Sequence, residues 1–417
     1  MTDSGVTTLG AADRQCPVTT RAGADTLAIT LMLFLSLSAL GLSLMPVVAD
    51  QLQGRFGYSD SQIGLLTSAF MFTFGGAALP AGLAAARWGG RVLVFGLGFF
   101  ILGSLLFAFS ASYGWFIAAR LVQGVGVGVA VPTVGAVIAG SISATYRGRA
   151  WGIFGMGHGL GVVVSLLIMP SIATAGGYRA VFLTTVGLSV LVAVAVLVQA
   201  PVRMRPSQYD NVLGPRALAG ALATVVTNRR VLLLSLFNLA ALAVGVGALV
   251  WTPQFLRAEF GASLGVSAYL TAGMGLAQLV GNPLGAVAMG RWGKLAVIFG
   301  SLSLMTVCIA LVPFLPGLWL VFVFVTLAGF LTMAYFPPLF AAIAEVVERP
   351  EHVGAATGLI EVFGFTGALL APWIFGVLLD ALGGGGYVAG YLMLAAVAAI
   401  ATLGVAFFRI PGAHRRG

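Results

Sequence analysis

A chain of 417 residues with 59% hydrophobic residues, 8% charged residues and a mean hydropathy of +1.05 cannot coat itself in water. A soluble globular protein is excluded. The net charge of +9 invites a nucleic-acid reading, but the basic residues are sorted along the chain rather than clustered, so that reading is excluded too.

The segments 92–119, 180–202, 231–256, 260–290 and 295–344 contain no Asp, Glu, Lys or Arg. Since roughly 20 apolar residues cross the hydrocarbon as helix, the longer runs hold two spans. Lipid offers no partner to an open sheet, so the spans are expected to be helices. The N-terminal tail, 1–25, carries Asp3, Asp13, Asp25 and Cys16 and no small-residue cleavage site. No removable signal peptide is expected, and with the second cysteine, Cys308, inside the membrane no disulfide framework follows.

Span 1 is expected over 26–48. Ser59, with Gln62 three residues on, marks a capping box that opens span 2, over 61–85. Spans 3 to 6 follow over 92–110, 114–140, 150–172 and 180–200, which makes 26–200 one six-helix bundle. A segment rich in Arg, Pro and Ser, 201–230, reads as a central loop. Spans 7 to 12 fall over 231–253, 265–289, 295–314, 317–344, 353–379 and 387–408, a second bundle over 231–408, before a basic tail, 409–417. In this arrangement 17 of the 21 Arg and Lys lie on the side of the termini. That asymmetry places both termini in the cytoplasm of a cell whose inner membrane the chain crosses.

The chain repeats itself. Arg87-Trp88-Gly89 returns as Arg291-Trp292-Gly293, Gly124 and Pro132 as Gly329 and Pro337, and Gly148, Ala150, Gly152 and Gly161 as Gly354, Ala356, Gly358 and Gly367. The offsets drift only from 204 to 206, which implies two similar bundles in parallel pseudo-symmetry.

On these features the chain resembles a major facilitator superfamily transporter. Gly82, Arg87, Gly89 and Arg91 resemble that family's loop 2–3 motif, and Arg120-Leu121-Val122-Gln123-Gly124 its span 4 motif. The resemblance implies twelve transmembrane helices in two bundles, alternating access, and gating by Gly82, Arg87, Gly89, Arg91, Arg291 and Gly293. Ala86 stands where the motif carries an acid, so the ion pair ascribed to that acid is missing. The glycine run 155–164 does not meet the family's antiporter signature. The stretches 56–91 and 281–285 resemble nitrate and nitrite porters, but Ala78 and Asn282 stand near where those porters carry substrate arginines, so nitrate is not carried over.

Ionisable residues inside a membrane are costly and mark function. Three qualify: Arg120, His158 and Glu361. Arg120 can bind an oxyanion bidentately, or else bond neighbouring carbonyls as a structural cation. Glu361 suits proton or substrate handling, with a counter-charge for Arg120 as the alternative. His158 suits a proton relay, with packing as the alternative. Gln123, Asn238, Gln278, Asn282 and Tyr335 are candidate cavity residues, and Thr271, Gly275, Gln278, Asn282 and Gly285 recur on one face of span 8.

Neither an ATP-binding domain nor a soluble catalytic constellation is visible, so an enzyme, a cofactor and a bound metal are not expected, and a gradient must supply the energy. The expectation is an all-α integral membrane protein that moves a small anionic solute with protons, as a monomer in the lipid bilayer. Export of a hydrophobic or cationic compound is the alternative. A membrane receptor or scaffold that does not transport is the alternative outside that class.

Overall fold

A computed structural model describes residues 18–203, 220, 223–347, 349 and 352–405. Most of the central loop and both tails lie outside those residues. Gly82 and Arg87 sit in helical backbone, but the Arg87 side chain lies outside them as well.

Among the described residues the only extended pairing is a single bridge, Val18 to Ile142; the rest of the ordered backbone is helical. Span 1 runs as Arg21–Ser43 and Met45–Phe56, longer than expected at both ends. Spans 2 and 3 are Asp60–Trp88 and Arg91–Phe109. Span 4 is broken into Tyr113–Gly128 and Ala130–Ser141, and span 5 at Met156 into Ala144–Gly155 and the helix that begins at Gly157. That helix reaches Arg203 but doubles back at Gly177, whose φ of 72° only glycine adopts freely, so it makes two passages, spans 5 and 6.

Spans 7, 8 and 9 are Arg229–Phe260, Leu264–Trp292 and Lys294–Leu311. Span 10 is Leu318–Ala334 and Phe336–Val346, broken at Tyr335, where Pro337 and Pro338 lack the N–H groups that would continue the ladder. Spans 11 and 12 are Val353–Leu382 and Gly386–Val405.

The capping box is in place, Ser59 taking the Gln62 amide while the Gln62 side chain takes that of Ser59. The repeated Arg-Trp-Gly turns also have a backbone cause. Gly89 and Gly293 end spans 2 and 8 at φ 55° and 85°.

Spans 1 to 6 pack mainly on one another, as do spans 7 to 12, and the two sets meet where span 2 lies on span 11 and span 5 on span 8. The duplication reaches the packing. Gly161 lies on the Ser36 carbonyl of span 1, and its counterpart Gly367 on the Leu239 carbonyl of span 7; a side chain at either would strike backbone. In a solvent as apolar as the side chains, such close backbone approach does the work that hydrophobic burial does in water.

Candidate functional site

Between the two sets of helices lies a cavity of about 530 Å³, lined by spans 1, 2, 5, 7, 8, 10 and 11. Its residues fall in the half of the interface nearer the chain ends, from Trp151 to His158 on span 5 and from Glu361 to Ala368 on span 11. The wall is chiefly Leu, Met and aromatic: Phe74, Trp151, Phe336 and Phe365 all face it. Phe74 and Phe365 meet edge to face across the two halves, ring centres 4.9 Å apart. Among the described residues four polar side chains line it, Ser38, His158, Asn282 and Glu361, and no Arg or Lys does. Ser38 turns its hydroxyl back to the Leu35 carbonyl at 2.7 Å.

His158 and Glu361, 203 residues apart, therefore share one chamber from opposite halves. The His158 Nδ1 lies 3.1 Å from the Gln278 Oε1, a contact across spans 5 and 8. Gln278 itself is 4% exposed and stands behind the histidine. Glu361 adjoins Asn238, whose Nδ2 donates to the Ile360 carbonyl at 2.9 Å and whose Oδ1 accepts from the Tyr335 hydroxyl. Asn238 and Tyr335 are buried and are not lining residues; they back Glu361. The missing side chain of Gly364 leaves room for the Asn238 amide.

Arg120 is the main correction to the expected cavity. It is fully buried, and its guanidinium points into the first half of the chain, away from the cavity. Nε donates to the Leu66 carbonyl at 3.1 Å, and Nη1 to the Gly41 carbonyl at 2.9 Å and the Gln123 Oε1 at 3.0 Å. The cation sits 4.4 Å from the Phe70 ring centre. Gln123 in turn donates to the Ser104 Oγ at 2.9 Å. This cation ties spans 1, 2 and 4 together, and Gln123 extends the network to span 3. Neither Arg120 nor Gln123 is positioned to touch a solute in the cavity, and the counter-charge reading of Glu361 has no contact with Arg120 to rest on.

Of the gating group, Gly89 is buried while Arg91, Arg291 and Gly293 are exposed at the ends of their helices. The ion pairs seen among the described residues lie elsewhere. Arg149 clasps Asp25 through Nε at 2.6 Å and Nη2 at 3.2 Å, and this bond holds the Asp25 carboxyl below the usual carboxylate range. Arg257 pairs with Asp50 at 2.9 Å across the two halves at the end opposite the termini. The aromatic wall was missed because apolar residues facing a cavity read like those facing lipid, and the far-end pair because its two members stand 207 residues apart. Among the described residues no three His, Cys, Asp or Glu converge as a metal site.

A family model described as Major Facilitator Superfamily matches residues 27–271 and 239–417. Similar curated proteins include the Bacillus subtilis (strain 168) uncharacterized MFS-type transporter YbcL, 24% identical over 63% of this chain and 66% of that protein. Another is the Escherichia coli (strain K12) membrane sensor protein UhpC, 24% identical over 77% of this chain and 78% of that protein. The Arabidopsis thaliana probable anion transporter 4, chloroplastic, is 33% identical over 29% of this chain and 23% of that protein. Among solved structures, a bacterial homolog of the human lysosomal transporter Spinster, in an inward-facing and occupied conformation, matches with a TM-score of 0.72 at 18% identity, over 91% of this chain and 95% of that one. Those last figures speak to the fold alone. With that family model matching nearly its whole length, and a duplicated packing plan around a central cavity among the described residues, the chain belongs to the Major Facilitator Superfamily.

Proposed function

We propose that the protein is a proton-coupled secondary transporter of the inner membrane, working as a monomer by alternating access, with both termini in the cytoplasm. The observation that carries this is the shared chamber. A carboxyl on one half and an imidazole on the other face an otherwise apolar space, in a solvent where isolated ionisable groups persist only for function. Glu361 and His158 bind and release the proton, and rocking of the two halves carries it with the solute. The basic residues on the side of the termini support the orientation.

The wall favours a small, largely apolar solute bearing a positive charge or hydrogen-bond donors. Aromatic faces attract cations, Glu361 offers a counter-charge, and among the described residues no guanidinium or ammonium lines the space. This is the hydrophobic or cationic alternative raised by the sequence; the anionic expectation rested on Arg120. One observation still favours an anion, the likeness to a protein named a probable anion transporter. On that second reading the solute enters with a proton and meets Glu361 as a neutral acid.

Proteoliposomes with a trapped pH dye separate the readings. Under the first, aromatic amines evoke a proton flux and organic acids do not; under the second, the pattern reverses. Either flux is expected to vanish in Glu361→Gln. A Glu361→Gln protein that keeps the flux would end the assignment of the coupling group, and silence to every solute, with specific binding retained, would favour a sensor.

A further inference from the structure

At the end of the protein opposite its termini, span 2 begins with four backbone N–H groups that have no partner in their own helix. The local sequence satisfies two of them. Ser59 N donates to the Gln62 Oε1 at 3.0 Å, and Gln62 N to the Ser59 Oγ at 3.3 Å. The two left over belong to Asp60 and Ser61, and both go to one carboxylate on the other half of the molecule. Asp60 N donates to the Asp380 Oδ1 and Ser61 N to the Asp380 Oδ2, each at 2.9 Å. Asp380 lies at the end of span 11, 320 residues away, so a single anion sits on the positive end of a helix from the opposite bundle.

The face below this contact is built for closeness. On span 11, Leu369, Pro372, Gly376 and Asp380 recur at three- and four-residue steps; on span 2, Asp60, Gly64 and Ser68 do the same. Gly64 abuts the Pro372 carbonyl, Gly376 abuts the Asp60 carbonyl, and the Ser68 hydroxyl donates to the Leu369 carbonyl at 2.5 Å. Alongside, Gln53 Nε2 steadies the Asp60 Oδ1 at 2.7 Å, and Arg257 reaches across to Asp50.

We propose that Asp380 is a latch: its carboxylate holds the far end of the transporter shut by seating on the two span 2 donors that the Ser59 capping box leaves free. A latch must also release. Asp380 and the two donors sit at an exposed rim, so water takes their hydrogen bonds when the halves part, and no buried group is stranded. The Arg120 bonds, buried within one half, have no such exchange and stay made. The inference rests on the alternating-access reading proposed above, but its test reads accessibility and not flux, so the two can fail separately.

Met71 lines the cavity and is 4% exposed, which makes Met71→Cys a reporter of entry from the far end. In a Cys16→Ser, Cys308→Ser background, intact cells are treated with a membrane-impermeant methanethiosulfonate. Adding Asp380→Ala is expected to raise the labelling rate about tenfold, and adding Asp380→Asn to raise it less, since the amide oxygen still accepts one N–H without the charge. Spin labels at Gly54 and Gly384, exposed positions on the two halves, are expected to move apart in Asp380→Ala. Labelling at the parent rate in Asp380→Ala, with unchanged spin-label distances, would overturn the latch. If the alanine protein does not reach the membrane, the asparagine protein decides on the same two readings.

Discussion

The two halves of the chain share a backbone plan and divide its chemistry. At the offset of the repeat, Arg120 corresponds to Val325, His158 to Gly364 and Glu361 to Gly155. Val325 is as buried as Arg120, and Gly155 lines the cavity as Glu361 does. The first half places its buried cation where the second has a hydrocarbon side chain, and the second places its carboxyl where the first has nothing beyond backbone. Close-packed glycines such as Gly161 and Gly367 recur because both halves make the same close helix contacts. The three ionisable groups inside the membrane do not recur. The comparison teaches that one half uses its fixed charge to seal a bundle, whereas the other opens its ionisable group to the cavity.

Breaking the sealed charge is the largest expected effect. Arg120→Ala strips the partners from two carbonyls and Gln123 in a dry interior and is expected to cost about 3–5 kcal/mol, seen as a sharply lower melting temperature in detergent. Arg120→Lys keeps the charge but loses the fork that reaches three acceptors, and it is expected to fall between. Next in size, Gly161→Val and Gly367→Val each force a side chain against a carbonyl of the neighbouring helix. Each is expected to cost about 2–3 kcal/mol, and the similarity of the two losses is the point of the measurement. Very unequal losses would show that the shared backbone plan does not carry equal loads. Glu361→Gln is expected to move stability by less than about 1 kcal/mol, because the side chain faces the cavity and no packing is lost. Its effect belongs to proton flux.

The order in which these effects fall follows what was legible in the sequence and what was not. Spans, the Ser59–Gln62 cap and the glycine echoes are local or periodic, so spacing alone exposes them. The direction in which Arg120 points is a different kind of fact. A residue advances by about 100° per step around a helix, and the pairing of spans 1, 2 and 4 decides which side of span 4 meets the cavity. The apolar wall of Trp151, Phe336 and Phe365 was hidden for a related reason, since a side chain facing lipid and one facing an apolar solute obey the same composition rule. Asp380 carried no mark in the sequence because its partners are backbone groups about 320 residues away, and amides leave no trace in side-chain patterns.

The smallest expected effect is a pH dependence at the far end, and it sharpens the contrast between a sealed and an opening charge. Burial pushes Asp380 upward, but hydrogen bonds from Ser61, Ser59 and Asp60 outweigh it and hold the carboxyl below its ordinary range. A group depressed in the closed state supports closure above its ordinary range, and that support is lost as the pH falls through the depressed value. Asp60 behaves oppositely. Burial raises it, the Gln53 bond opposes this, and repulsion from Asp380 and Asp50 adds to the rise. Its support is therefore complete at low pH and lost as the pH climbs through the raised value. Arg257, Tyr387 and Glu259 face the same rim, and burial lowers the Arg257 guanidinium. The separation of spin labels at Gly54 and Gly384 is thus expected to shrink on mild acidification and to grow again only in strong acid. Asp60→Asn should flatten the mild-acid limb, whereas Asp380→Asn should flatten the strong-acid limb and move the mild-acid limb to lower pH by removing the repulsion on Asp60. A profile that neither substitution alters would assign the pH dependence to groups away from this rim.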